Sequence, residues 1–117
     1  MKNYTKTNVG TAARTELHDA LSLTGAEVSI NQLPAGVGVP FVHSHKHNEE
    51  IYGVISGSGK AVIDGETVPL TAGDWLRVAP AAKRQFSAAA ESGITFVCIQ
   101  VKENSLDGFT ADDAVVY

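Results

Sequence analysis

Short apolar runs, interrupted by glycine or proline, make up most of the chain after residue 25. Turn residues recur about every 8 to 12 residues, which is typical of proteins built from short strands. Asp64-Gly65 is a hairpin signal between two of these runs, because glycine adopts a positive φ without steric cost. The pattern predicts eight strands: Val28–Leu33, Val39–His43, Ile51–Ile55, Lys60–Ile63, Thr67–Leu70, Trp75–Val78, Arg84–Ala88 and Ile94–Val101.

The segment before the first predicted strand follows a helical period instead. Thr11 is a suitable N-cap residue and Gly25 a suitable stop, so the pattern predicts a helix over Thr11–Leu23. The apolar positions that carry this period are Ala13, Leu17, Ala20 and Leu21.

The connections between the predicted strands are too short for crossover helices, so the strands must form two packed sheets or a closed barrel. We therefore predict an all-β jelly-roll barrel with a short N-terminal helix. A chain of 117 residues is the size of one domain, with a helical lead-in at residues 1–25, the barrel at 26–103 and a tail at 104–117. The tail is acidic and ends in Ala-Val-Val-Tyr, which predicts a solvated turn followed by a last packed strand.

Charge and cysteine content limit the classes of partner. The net charge is −4, and the nine Lys and Arg residues are scattered, so no basic stripe is available to follow a nucleic-acid backbone. We expect no secretory signal, because no apolar stretch follows Lys2 and Lys6, and the sequence has no apolar run of the ~20 residues that a membrane span needs. Cys98, the only cysteine, is interpreted as a core residue rather than a reactive thiol. We expect a cytoplasmic protein that binds neither nucleic acid nor membranes.

The residues most able to bind a metal or a substrate are concentrated in the segment from Pro40 to Tyr52. His43 and His45 alternate, so in a strand both side chains point to the same face. Glu50 follows after a short turn and can supply a carboxylate to the same point. Two imidazoles and one carboxylate suit divalent Mn, Fe, Ni or Zn. The segment therefore predicts a divalent-metal site at these three residues.

Several neighbouring residues leave alternatives open. Glu49 would be the inward carboxylate if the turn were one residue shorter. His47 shares the parity of the two other histidines and is interpreted as exposed or as a supporting residue, with a fourth ligand as the rival reading. Tyr52 shares the face of Glu50 and is a candidate substrate-binding residue. Three other aromatic residues are expected in the core: Trp75, Phe86 and Phe96.

The spacing of these residues resembles the first motif of the cupin superfamily. In that motif a His-x-His pair is followed by a glutamate and then by a glycine, and His43, His45, Glu50 and Gly57 match this part in full. The resemblance implies a small single-domain cupin. It implies a jelly-roll barrel that holds a divalent metal.

The second cupin motif carries a histidine that completes the family's usual ligand set. Counting from Gly73 places Arg84 at that position, whereas anchoring the motif on Pro80 places Gln85 there. Neither residue is a good metal ligand, and arginine cannot ligate a metal at all. An inward-facing Arg84 would need an anion, which is either Glu50 or a bound substrate.

Two function classes follow. The first is a metal-centred enzyme or binding protein for a small, anionic metabolite, held in part by Arg84 and Tyr52. For such a protein the resemblance implies oxygenation, isomerisation or decarboxylation as candidate reactions. The second is a metal-free ligand-binding or sensor barrel in which Glu50 pairs with Arg84. A homodimer is expected in either case, because unpaired strand edges need cover.

Overall fold

Residues 3–117 are described by the computed structural model, and this part of the chain contains seven strands and one short helix. No helix in these residues is long and apolar enough to cross a membrane. The elements in chain order are β1 (Arg14–Glu16), α1 (His18–Leu21), β2 (Glu27–Leu33), β3 (Asn48–Ile63), β4 (Glu66–Thr71), β5 (Trp75–Val78), β6 (Arg84–Ala88) and β7 (Ile94–Lys102).

The long strand β3 organises the fold, because four other strands pair with it and all pairings are antiparallel. The first half of β3 lies between β7 and β5, and its second half lies between β4 and β6. The register shifts between Val54 and Ser56, and such a bulge bends a strand and increases its twist. One strand thus connects two sheets, and the all-β fold class is confirmed.

The core lies between the two sheets and is built from alternate residues of each strand. On β6 the inward positions are Arg84, Phe86 and Ala88, and the side chains between them are only partly buried. The rings of Phe86 and Phe96 stack with centroids 5.2 Å apart, and Tyr52 lies 4.2 Å from Phe86. The expected core positions of Phe86 and Phe96 are therefore confirmed.

The prediction that Trp75 belongs to the core is wrong. Its side chain is 61% exposed, because Val78 is the buried residue of β5 and the alternation turns Trp75 to the outside. The indole covers the backbone of Gly53, the residue that pairs with Trp75 across the strands. A Cβ at Gly53 would lie 2.4 Å from an indole carbon, so this close contact requires glycine.

The predicted N-terminal helix is also wrong over most of its length. Residues 14–16 form β1, which pairs with β2, and only His18–Leu21 is helical. The helix ends at Ser22, which has a φ of 55°, rather than at Gly25. An isolated helix of this length is marginal in water, whereas the open edge of β2 offers backbone partners to the same residues.

Three further expectations about strands are corrected. The predicted strand Val39–His43 is an irregular segment that bends at Pro40 and Phe41 and makes only isolated bridges, at Gly38 and His43. Pro40 has no N–H to donate to a neighbouring strand. The predicted packed strand at the end of the tail is absent from the described residues, where Val116 is 93% exposed. Two predicted strands, Ile51–Ile55 and Lys60–Ile63, are parts of the single strand β3.

The predicted hairpin at Asp64-Gly65 is confirmed. Both residues have positive φ, 49° and 85°, and they connect the paired residues Ile63 and Glu66 as a two-residue loop. This is the turn geometry that matches the twist of antiparallel strands.

Candidate metal centre and its cavity

The two candidate histidines lie in the segment that leads into β3, and the backbone of the opposite wall fixes them. His43 and Arg84 exchange backbone hydrogen bonds of 3.1 and 2.9 Å, and His45 N–H donates to the carbonyl of Pro80 at 2.8 Å. Glu50 follows near the start of β3, where it pairs with Val78 on one side and Gln100 on the other. The three candidate ligands therefore converge from two elements.

His43, His45 and Glu50 form a compact cluster that could hold a metal ion. Each offers one ligand atom, and these atoms lie within 4.8 Å of one another. The Nε2 atom of His43 lies 3.7 Å from Oε1 of Glu50, and Nε2 of His45 lies 3.2 Å from Oε2.

Two nitrogens of this cluster have no hydrogen-bond partner in residues 3–117, although both are buried: Nδ1 of His43 and Nε2 of His45. His45 Nε2 is close to Glu50, but the pair does not have hydrogen-bond geometry. A buried polar atom without a partner costs about 1–3 kcal/mol. A metal ion accepts the lone pair of such a nitrogen, so the donor set fits a divalent metal.

The protonation states also suit metal binding. Burial lowers the pKa of His43, which favours the neutral imidazole. Burial acts to raise the pKa of Glu50, but hydrogen bonds from Tyr52, Arg84 and Cys98 outweigh it and the pKa is lowered. At neutral pH His43 is therefore neutral and Glu50 is a carboxylate, the two forms that ligate.

The Glu50 carboxylate is held firmly, since it is 2% exposed and receives three side-chain hydrogen bonds. Its Oε1 accepts from Nη1 of Arg84 at 2.6 Å and from the Tyr52 hydroxyl, and its Oε2 is 3.3 Å from Sγ of Cys98. Burial raises the pKa of Cys98 to about 12, so the thiol keeps its proton and donates it to Glu50. Cys98 belongs to the core, as expected.

Arg84 is the buried partner of Glu50. It is 0% exposed, and Nη2 donates to the backbone carbonyls of Ala79, Pro80 and Ala82 at 2.6, 3.0 and 2.6 Å. Gln85, the alternative at this motif position, donates instead to the carbonyl of Val39. Arg84 is not among the residues that line the cavity, and its role in holding a substrate stays a prediction.

The remaining candidates lie outside the cluster. Glu49 points outward and accepts a 2.6 Å hydrogen bond from Nε of Arg77, so Glu50 is the inward carboxylate. His47 is exposed, and it contributes a backbone carbonyl to Glu103 rather than a ring nitrogen to the cluster.

A cavity of about 550 Å³ opens beside the cluster, and its volume is typical of small-molecule sites. Tyr52 lines it together with His43, His45 and Glu50, and its role in binding a substrate stays a prediction. Sequence reasoning missed three polar lining residues: Arg14, Asn31 and Gln100. Asn31 could have been found, because it alternates with Ser29 in a strand where both are buried. Arg14 could not, because its segment was predicted to be helical.

Comparison with known proteins gives one family. The Cupin_2 family model, described as a cupin domain, matches residues 30–100. A solved structure of a cupin protein from Bacteroides fragilis is 67% identical in sequence and has a TM-score of 0.96, and the match covers 100% of this chain and 99% of that chain. No curated protein sequence matches the chain.

Two more distant solved structures share the fold. A predicted oxalate decarboxylase from Thermotoga maritima is 24% identical with a TM-score of 0.60, and the match covers 64% of each chain. A putative sugar phosphate isomerase from Acidithiobacillus ferrooxidans is 23% identical with a TM-score of 0.67, and the match covers 76% of this chain and 58% of that chain.

Proposed function

This chain belongs to the cupin family, and from that premise we propose that it binds a divalent metal ion through His43, His45 and Glu50 and holds a small anionic metabolite beside it. The observation that carries the proposal is that ligand atoms of His43, His45 and Glu50 lie within 4.8 Å of one another. Within residues 3–117, the buried Nε2 of His45 beside the carboxylate has no hydrogen-bond partner. Mn, Fe, Ni and Zn all accept this donor set.

The protein's own residues prepare the site for such a ligand. Three protein ligands leave coordination positions open, and a bound metal would polarise an oxygen of the ligand there. Arg84, Tyr52 and Cys98 hold Glu50 in its ionised form, so the carboxylate needs no rearrangement to ligate. Tyr52 also lines the cavity, where its ring would contact the ligand.

The reaction classes that we propose are decarboxylation, isomerisation and oxygenation of small acids or sugars. The names of two structural neighbours, a predicted oxalate decarboxylase and a putative sugar phosphate isomerase, support the first two classes and an anionic ligand.

Metal analysis tests the proposal directly. We expect the protein, purified without added metal, to carry about one divalent ion per chain by elemental analysis, and we expect His43→Ala/His45→Ala to carry none. His18→Ala/His47→Ala is the matched control, because it removes two exposed histidines outside the cluster. Equal metal content in the wild type and the His43/His45 variant after the same dialysis would overturn the ligand assignment.

One observation favours a second function. The ion pair between Arg84 and Glu50 places a positive charge where the family motif has a ligand, which supports a metal-free ligand-binding or sensor barrel. In that case the wild type carries no metal even after incubation with Mn, Fe, Ni or Zn, and chelators leave its affinity for small acids unchanged. A homodimer and a cytoplasmic location are part of both proposals.

A further inference from the structure

Arg14 gives the cavity a second polar site, away from the metal cluster. Among residues 3–117, Arg14 is the only arginine or lysine that lines the cavity. It lies on β1 directly opposite Asn31 of β2, which in turn lies opposite Phe96 of β7. Glu50 pairs with Gln100, four residues farther along β7. At about 3.3 Å per residue, the backbone positions of Arg14 and Glu50 are offset by roughly 13 Å along the wall.

The guanidinium of Arg14 is held at one edge and open at the other. Its Nη1 donates to Oδ1 of Asn31 at 3.1 Å, and the buried amide of Asn31 is oriented by its own hydrogen bond to Oγ of Ser29 at 3.0 Å. Nη2 of Arg14 makes no hydrogen bond within the part of the chain that the structure describes. Nε lies 3.7 Å from Glu16, a loose and exposed pairing. Arg14 thus offers a free donor to the cavity.

No free carboxylate inside the cavity neutralises Arg14. Glu50, the only Asp or Glu among the described residues that line the cavity, is already paired with Arg84. Glu16, the loose partner of Arg14, does not line the cavity.

The wall of the cavity that holds Arg14 and the metal cluster is largely apolar. Its apolar members include Leu33, Val37, Val39, Phe41, Phe86 and Phe96. A ligand that fits this surface has an apolar body, because burying an unpaired polar group against it would cost free energy.

We propose that Arg14 binds the carboxylate of a small amphipathic acid, whose apolar body packs against this wall. The proposal rests on the proposed function, since it names the class of metabolite that the same cavity holds. A guanidinium recognises a planar carboxylate with two parallel N–H donors better than any other side chain.

Phenylacetate and its neutral amide, phenylacetamide, are matched probes for this site. Titrations followed by NMR would compare the wild type with Arg14→Gln, which keeps a polar amide but loses the charge. We expect the affinity for phenylacetate to fall about fivefold, the upper range for a half-exposed ion pair, and the affinity for phenylacetamide to stay unchanged. Arg14→Lys should keep most of the affinity for phenylacetate, and Lys60→Gln, which removes an exposed charge elsewhere, should keep all of it.

The same titrations separate this proposal from the metal site. With or without a chelator, the wild type should prefer phenylacetate to phenylacetamide and Arg14→Gln should lose that preference, while Arg14→Gln should keep the metal content of the wild type. A wild type that binds both probes equally, or neither, overturns the proposal, and so does an unchanged affinity of Arg14→Gln for phenylacetate. A wild type that carries no metal but still prefers phenylacetate to phenylacetamide would contradict the metal assignment and leave the Arg14 proposal standing.

Discussion

Nη1 of Arg84 lies 2.6 Å from Oε1 of Glu50, and both side chains are withdrawn from solvent. The remaining donors of the guanidinium meet three backbone carbonyls of the segment before β6. Each nitrogen of the buried guanidinium therefore has an acceptor, which offsets part of the cost of removing the charge from water. This pair links β3 to β6 and fixes the carboxylate beside the two histidines.

Removing the cation from this pair should destabilise the fold strongly. Arg84→Met leaves Glu50 buried without its cation and removes the donor of the Ala82 carbonyl, so we expect unfolding in urea to require about 3–5 kcal/mol less free energy. Arg77→Met is the control, because Arg77 forms exposed ion pairs with Glu49 and Glu103. Its cost should be at most about 1 kcal/mol. Similar costs for the two variants would contradict a special role for the buried pair.

Replacing Arg84 with histidine should strengthen metal binding. The guanidinium repels a divalent ion next to Glu50 by about a few kcal/mol at an effective dielectric near 20. Arg84→His removes that charge, frees Oε1 of Glu50 and adds an imidazole, so we expect calorimetric titration to show affinity higher by at least about tenfold.

Gln85→His is the matched control for this experiment, because the side chain of Gln85 contacts the carbonyl of Val39 rather than Glu50. It should leave metal affinity unchanged. Equal affinities of Arg84→His and the wild type would mean that the Arg84 charge does not weaken metal binding.

Gly57 is required by geometry rather than by the metal. Its φ is +78°, and a Cβ there would lie 1.8 Å from the carbonyl oxygen of Gly93, a backbone atom that cannot move away. We expect Gly57→Ala to lower the free energy of unfolding by more than about 3 kcal/mol. Gly65→Ala has the same sign of φ but meets no atom within 4 Å, so it should cost only about 1–2 kcal/mol. Thermal unfolding of both variants measures the difference.

The metal-free protein should lose stability as the pH falls below about 6.5. The pKa of His43 in the folded protein lies below its ordinary 6.5. As the pH falls from 6.5, His43 therefore binds a proton in the unfolded chain before it does so in the folded protein, and unfolding is favoured. The pKa of Glu50 lies below its ordinary 4.5, so its contribution is present above that pH and is lost as the pH falls through the folded value. Urea unfolding in a chelator should show both losses, and Glu50→Gln should lack the second. Constant stability from pH 7 to 5 would contradict the His43 shift, and an equal loss of stability below pH 4.5 in the wild type and Glu50→Gln would contradict the Glu50 shift.

A homodimer is expected from the exposed edges and apolar residues. β1 and β4 end the strand order of the sheets, and the tail leaves Val115, Val116 and Tyr117 exposed. Light scattering should give twice the chain mass at micromolar concentrations. A monomer would contradict the prediction, and a dimer that survives deletion of residues 113–117 would show that the tail takes no part.

Much of the fold could be predicted because strand signals are local. The apolar pattern identified the strands from β4 to β7 to within one residue at each end, and the residues that it missed are Glu66 and Thr71 of β4 and Lys102 of β7. The signals failed where a segment gains its partner from far along the chain. Residues 14–16 follow a helical period, but the edge of β2 draws them into a strand, and propensity is weaker than such pairing.

The sequence by itself determined that His43, His45 and Glu50 can meet, because two-residue alternation and one short turn fix which side chains share a face. Only the tertiary structure decided what surrounds them. Arg84 lies 34 residues from Glu50 in the chain. It became the partner of Glu50 because β6 packs against the segment that carries the histidines. Arg14 reached the cavity because β1 pairs with β2. Such contacts depend on the closure of the sheets, which no local spacing encodes.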